Sequence, residues 1–405
     1  MKRKLHPSVL MIPVVLTFGH AAFSGSILST SGIGIPHGFP DARSLGMGGV
    51  SIAQLDPFTI NRMNPASLNA VRNTKFSLQF LYESNEARDE AAEQTSRYFN
   101  FDGFAFYIPL HSRIGVGMGL TPETRADYEL TFEGRLDSAE YEKTIRGKGG
   151  LNAWNFSLST QPFRFLRLGL TAAYFFGKTE ETWRLDYAST DFASTKDVLT
   201  IHAHGFGATA GVSLEPVERI VQIGAVYRPV VHLTTESDLV MRPGTSTSVS
   251  RSAKGDMDYP SLWGIGISGR PWKSVNLEFN YSETGWDEFR VNGTVSGGTQ
   301  KSCRYAFGAE FRADENIYAP YWKRMAFRAG FSTAPVFIRD PYGNRIRETW
   351  FSLGIGLPLM EDQSHMDAAL QFGRRGSLEP NGLEESLIRL HITLTGGEKW
   401  FSRKY

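Results

Sequence analysis

From residue 74 to the end of the chain, large apolar residues fall on alternate positions, with small or charged residues between them. The last run shows this most plainly. Ile388, Leu390, Ile392 and Leu394 share one side, and Arg389, His391, Thr393 and Thr395 share the other. Strand side chains point to opposite faces with period two, so each run predicts a strand with one greasy and one wet face. The runs begin near Phe76, Phe104, Ile114, Phe156, Leu166, Phe206, Val221, Trp263, Val275, Tyr305, Met325, Phe351, Met366 and Ile388. That makes about fourteen strands by periodicity alone.

The faces opposite the apolar ones do not resemble a core. They carry Glu278, Arg304, Glu310, Arg312, Arg328, Arg389 and His391, and they are otherwise filled by small residues such as Gly115, Gly117 and Gly119. In a soluble sandwich the apolar face is the core; in a transmembrane barrel it faces lipid. The linkers separate the two cases. Long connections at 83–100, 121–150, 177–199, 229–258, 283–300 and 332–348 alternate with short ones at 110–113, 161–165, 215–219, 269–274 and 358–364. An even-stranded meander then has all its long loops at one end, as bacterial outer-membrane barrels do. The expected fold is an all-β, transmembrane, antiparallel up-and-down β-barrel spanning 74–405. Its charged inner face forms either an ion-pair ladder or a polar conduction path. Tyr82, Tyr107, Trp154, Tyr174, Phe175, Phe176, Tyr227, Trp263 and Trp272 lie near strand ends, where interfacial aromatic girdles belong.

Composition agrees. A formal charge of +1 over 405 residues gives no electrostatic case for nucleic acid. Lys2, Arg3 and Lys4 precede an apolar stretch and then Gly19, Ala21, Ala22 and Ser24, so 1–24 reads as a secretory signal peptide cleaved after Ala21 or Ser24. That stretch is too short for a spanning helix, and no later segment is long enough. The destination is the bacterial outer membrane, with its lipid and lipopolysaccharide as surroundings. The lone Cys303 permits no internal disulfide.

Before the first strand, 25–73 lacks alternation and is rich in Gly, Pro, Asp and Asn. It contains Gly46, Gly48 and Gly49, which suit tight turns, and then Asn64, Pro65 and Ala66. Asn64 suits a helix N-cap and Pro65 the first helical position. A compact element ahead of a wide barrel is a natural N-terminal hatch plugging the lumen.

At these residues the chain resembles the FadL-type outer-membrane transporters of hydrophobic compounds, in which an Asn-Pro-Ala motif precedes a fourteen-stranded barrel. The run from Asp41 through Gly46-Met-Gly-Gly49 is also similar to the PorV/PorQ-like branch, some of whose members serve protein secretion. The first resemblance implies passive uptake of long-chain fatty acids or other hydrophobic small molecules, with lateral release where the third strand kinks. The second implies secretion-system proteins as partners. The third strand here carries Gly115, Gly117 and Gly119, which either let it bend or make room for the hatch.

Other chemistry is not expected. His202 and His204 have metal-competent spacing but no third ligand, so no metal is assigned. Glu180–Glu181 and Asp287–Glu288 read as solvated pairs in outer loops. The Gly32-Ile-Gly34 and Gly115–Gly119 patterns join no strand to a helix in a βαβ unit, so no nucleotide cofactor is implied. His111-Ser112 is an adjacent base–nucleophile pair in a short turn, and strand neighbours point apart, so the chain does not read as an enzyme.

Overall fold

The computed structural model describes residues 26, 33–38, 41–90, 93–136, 139–189, 192–218, 220–242, 248–314, 316, 318–359 and 364–398. The signal-peptide region lies outside the described residues.

The described strands, in chain order, begin with a short β1 (Ile35–Pro36), then β2 (Thr74–Arg88), β3 (Glu93–His111), β4 (Ile114–Pro122) and β5 (Thr124–Leu136). β6 (Ala139–Phe163), β7 (Leu166–Tyr187), β8 (Thr195–Val217), β9 (Val221–Arg228), β10 (Val231–Arg242), β11 (Val249–Tyr259) and β12 (Leu262–Trp272) follow. The rest are β13 (Val275–Thr284), the two-residue β14 (Arg290–Val291) and β15 (Thr294–Val295), then β16 (Ser302–Arg312), β17 (Ala326–Arg339), β18 (Arg345–Leu359), β19 (Ser364–Ser377) and β20 (Leu383–Glu398). β4 with β5, β9 with β10, and β11 with β12 are interrupted halves of single staves. The staves number fourteen, all antiparallel. Pairing of β2 with β20, from Thr74↔Glu398 to Arg88↔Glu384, closes the barrel.

The outward faces are those the alternation predicts. Phe156, Leu170, Phe206, Ile265, Phe307, Phe351 and Leu353 are all exposed. Apolar rings in such numbers on the outside of a closed barrel are stable only against lipid, so the protein is an outer-membrane barrel. Tyr82, Tyr227, Trp263 and Trp272 are exposed as girdle residues should be. Tyr107 and Phe175 are not: each is 1% exposed and points inward, because each sits one position out of phase with its outward neighbours.

The long connections are not loops in the expected sense, because the strands run on into them. β6, β7 and β8 have 25, 22 and 23 residues, whereas β13 and β16 have 10 and 11. A tilted strand crosses the membrane in about 9–11 residues. The surplus of β5–β8, β10 and β11 therefore stands above the outer rim as paired hairpins. Glu180 and Glu181 lie in β7, not in a loop, and Glu180 pairs with Lys148 at 3.2 Å across to β6. Asp287 and Glu288 lie in a 3₁₀ turn, Trp286–Glu288.

Candidate functional site

The segment from 41 to 72 lies inside the barrel. Its first element is the helix α1 (Ala42–Gly46), whose Asp41 N-cap accepts a 2.8 Å hydrogen bond from Ser44 N. α1 rests on the inner face of β17–β20. The chain then turns through Gly48 and Gly49, at φ +79° and +87°. A Cβ on Gly48 would press to 2.8 Å from Phe307 O, and one on Gly330 of β17 would overlap Gly48 N. Glycine on both sides lets backbone meet backbone. Gly46 meets Gly354 of β18 in the same way.

Asn64, Pro65 and Ala66 open a 3₁₀ helix, Pro65–Ala70, packed on β6–β8. Asn64 Oδ1 accepts from Ala66 N at 3.0 Å, as an N-cap. Its Nδ2 also donates to Ile52 O at 2.7 Å and to Val212 O of β8 at 3.2 Å. One fully buried amide thus caps the helix and ties it to the wall. Gly169 and Gly211 supply the room, since a Cβ on either would overlap Pro65 or Asn64.

Charge fixes the other half. Arg43 of α1 pairs with Glu310 at 3.0 Å and Asp56 at 3.2 Å. Arg328 pairs with Glu310 at 2.7 Å and with Asp367 at 2.6 Å. Burial works against each of these charges. Asp56 and Glu310 nonetheless raise Arg43 well above its usual range. Burial would lift the Asp56 carboxyl, but Arg43 holds it below the ordinary carboxylate range. Asp41, by contrast, is pushed up by burial. Arg43 and Asp56 are absent from the ladder expected from sequence, because partners from a segment without periodicity leave no strand signal, whereas Asp367 lies on the inner face of β19. Of that expected ladder, Glu310, Arg312 and Arg328 join this network, Arg312 at 3.8 Å from Glu310. Arg304 instead donates to Gly48 O at 3.3 Å and Ser332 Oγ at 2.9 Å. Glu278 accepts from Asn276. Arg389 pairs with Glu83 and lies 4.3 Å from the Trp350 ring centroid, and His391, two residues on in the same strand, is buried.

Two of the cavities adjoin each other inside the barrel. One, about 670 Å³ including the part open to solvent, lies beside the 3₁₀ helix and is lined by Ile60, Met63, Leu68, Ala105 and Phe175, with Glu123 and Arg228 at one side. The other, about 1490 Å³ including the part open to solvent, is lined by Tyr259, Trp286, Phe337 and Trp350 together with His37, Asp102 and Arg304.

The wall beside them is broken. Pairing of β3 with β4 ends at Phe104↔Leu120, whereas β3 continues along β2 to Arg88↔Glu93. Above Leu120 the third stave follows β6, Ala126↔Gly149 to Leu136↔Ala139, and meets the short β1 rather than β3 on its other side. No pairing joins 93–103 to β5 among the described residues. Each lip carries one extra residue. On β3, Gln79↔Gly103 is followed by Phe80↔Phe101, which leaves Asp102 unpaired. On the third stave, residues 123–125 face only 150 and 151 of β6, between Pro122↔Asn152 and Ala126↔Gly149. Such bulges re-aim a side chain. Asp102 and Glu123 are 6% and 3% exposed and both turn inward. Glu123 meets Arg228 at 3.0 Å. Outside, exposed Phe99 and Phe101 flank Phe80 beside the gap, so its outer surround is apolar. Gly115, Gly117 and Gly119 lie below it, in the half of the stave paired on both sides. Gly115 makes room for Tyr107, and a Cβ on Gly117 would meet Leu68 of the plug at 3.5 Å.

His202 and His204 lie on β8, and no group of three or more metal-competent side chains occurs among the described residues. His111 Nδ1 and Ser112 Oγ approach to 3.3 Å rather than pointing apart, because the strand ends there and the turn abolishes its alternation. The pair is exposed at the short-turn end.

The closed antiparallel barrel of fourteen staves matches the FadL-like outer-membrane barrels in fold. Structural comparison agrees: the toluene transporter TbuX of Ralstonia pickettii (TM-score 0.64, 16% identity, 88% of this chain and 98% of that one), a FadL homologue of Pseudomonas aeruginosa (0.62, 12%, 89% and 98%), and the CymD monoaromatic hydrocarbon channel (0.61, 17%, 91% and 99%). A family model described as BamG matches residues 1–405, and the chain belongs to that family. No curated protein matches the sequence.

Proposed function

We propose that this barrel takes up hydrophobic small molecules passively across the outer membrane, with 41–72 as its hatch and the break between β3 and β5 as a sideways exit into lipid. The break carries the reading. It is flanked outside by exposed Phe99 and Phe101, and it adjoins a cleft lined in part by Ile60, Met63 and Leu68. A cavity walled only by polar groups would have no affinity for such ligands. The aromatic lining of the second cavity fits aromatic or alkyl compounds, and the similar solved proteins include a toluene transporter and a monoaromatic hydrocarbon channel. Long-chain fatty acids fall in the same chemical class. The proposed site comprises the hatch residues Gly46, Gly48, Gly49, Asn64, Pro65 and Ala66, held by Glu310 and Arg328.

Native mass spectrometry after mild detergent extraction tests this. A copurified hydrophobic molecule, lost on Leu68→Asp, is the expected result. An empty lumen with a tightly bound protein partner would sink the transport reading in favour of a secretion-linked role.

A further inference from the structure

The gap is not open in this structure. Residues 33–38 lie across it, and they hold both lips. On one side β1 adds to β5, Ile35↔Arg125 and Pro36↔Thr124, and His37 N donates to Glu123 O at 2.9 Å. Thr124 Oγ1 donates to Ile33 O at 2.5 Å. Gly34, at φ +84°, lies so close that any Cβ would overlap the Arg125 backbone. On the other side His37 Nε2 reaches Asp102 of β3 at 2.8 Å. Arg125 Nη2 meets the same carboxylate at 2.7 Å.

We infer that residues 33–38 form a strap that latches the sideways exit, and that Asp102 is the keeper that joins the strap and both lips at one carboxylate. The inference rests on the exit reading above. Three features converge on it. Asp102 is the bulge residue, so the local break in pairing exists at the one place where its side chain can reach the strap. The strap's two pairs satisfy part of an edge otherwise left without partners on β5. A two-residue strand is too short to be stable alone, so its attachment depends on the side-chain contacts at its end. The strap is therefore the element of the wall best suited to leave and return.

Two sets of variants decide the matter in the full-length protein. Asp102→Asn and Gly34→Val loosen the strap; Pro36→Cys with Thr124→Cys, a directly opposed pair, locks it when oxidised. Amide hydrogen exchange reads the latch without any ligand. At residues 35, 37 and 123–125 it should rise about tenfold or more in the two loosened variants, as local opening does when its free-energy cost falls. Unchanged exchange in both overturns the latch. Uptake of toluene and of oleate into proteoliposomes reads the exit. The oxidised cysteine pair should transport at a small fraction of the reduced rate. Equal rates in a protein that transports either probe overturn the strap as the exit's closure. Failure of the unmodified protein to take up either probe counts against the transport reading, and the exchange result still decides the latch.

Discussion

Single residues carry much of the attachment between plug and wall. Asn64 is at once an N-cap and a donor to β8. Asn64→Ala should cost about 1–2 kcal/mol from the cap alone, with more from the carbonyls left without a donor. Asn64→Asp keeps the acceptor and loses the donors, so its melting temperature should fall between those of the Ala variant and the unmodified protein. Gly211→Ala forces a methyl into the Asn64 amide and should resemble Asn64→Ala. Circular-dichroism melts in detergent, with protease sensitivity of 41–72, read all three. A Gly211→Ala variant as protease-resistant as the parent would show that the plug does not depend on this contact. Asn64 and Pro65 were legible as cap and first helical residue from type and order alone. The tie to β8 was not, because nothing in the sequence says which stave lies opposite.

At the scale of elements, α1 hangs on a buried network of Arg43, Asp56, Glu310, Arg328 and Asp367. Removing one partner from a buried pair typically costs about 3–5 kcal/mol. Glu310→Gln, which takes one of two carboxylate partners from both Arg43 and Arg328, should destabilise the plug more than Arg43→Met, which removes a charge and keeps much of the volume. Asp56 gives the network a pH dependence. Its carboxyl is lowered in the folded protein, so its contribution is complete above the ordinary carboxylate pKa of about 4 and is lost as pH falls through the lower folded value. Asp41 is raised and runs the other way. Protease access to 41–72 should therefore increase below about pH 4, and less so in Asp56→Asn. Periodicity made the staves legible, since their outward faces are continuous from Phe76 to Leu394. It misjudged the connections, where charged residues on both faces disguise strands that continue above the membrane. The gap had a readable trace: the outward rings shift from Phe99 and Phe101 to Phe104 and Phe106, an odd-to-even slip that only an extra residue can produce.

For the whole molecule, the plug and the closed wall together predict a barrel that conducts little. Deleting 41–72 removes the filling but leaves every stave pair intact. Planar-bilayer recordings should then change from closed to steadily conducting. A silent deletion variant that still migrates as folded barrel would mean that the lumen is blocked elsewhere. The architecture was legible in the sequence because it repeats. The site was legible only in outline, because partners drawn from opposite walls and a non-repeating segment meet through geometry alone. The seam between β2 and β20 joins the first stave made to the last. The plug precedes both in the chain, so it emerges before there is anything to enclose it. A finished ring offers no way to draw in a folded insert held on opposite walls. Assembly therefore has an order: the insert must be gathered while the final stave is still unjoined, and closing the seam is the step that makes its capture permanent.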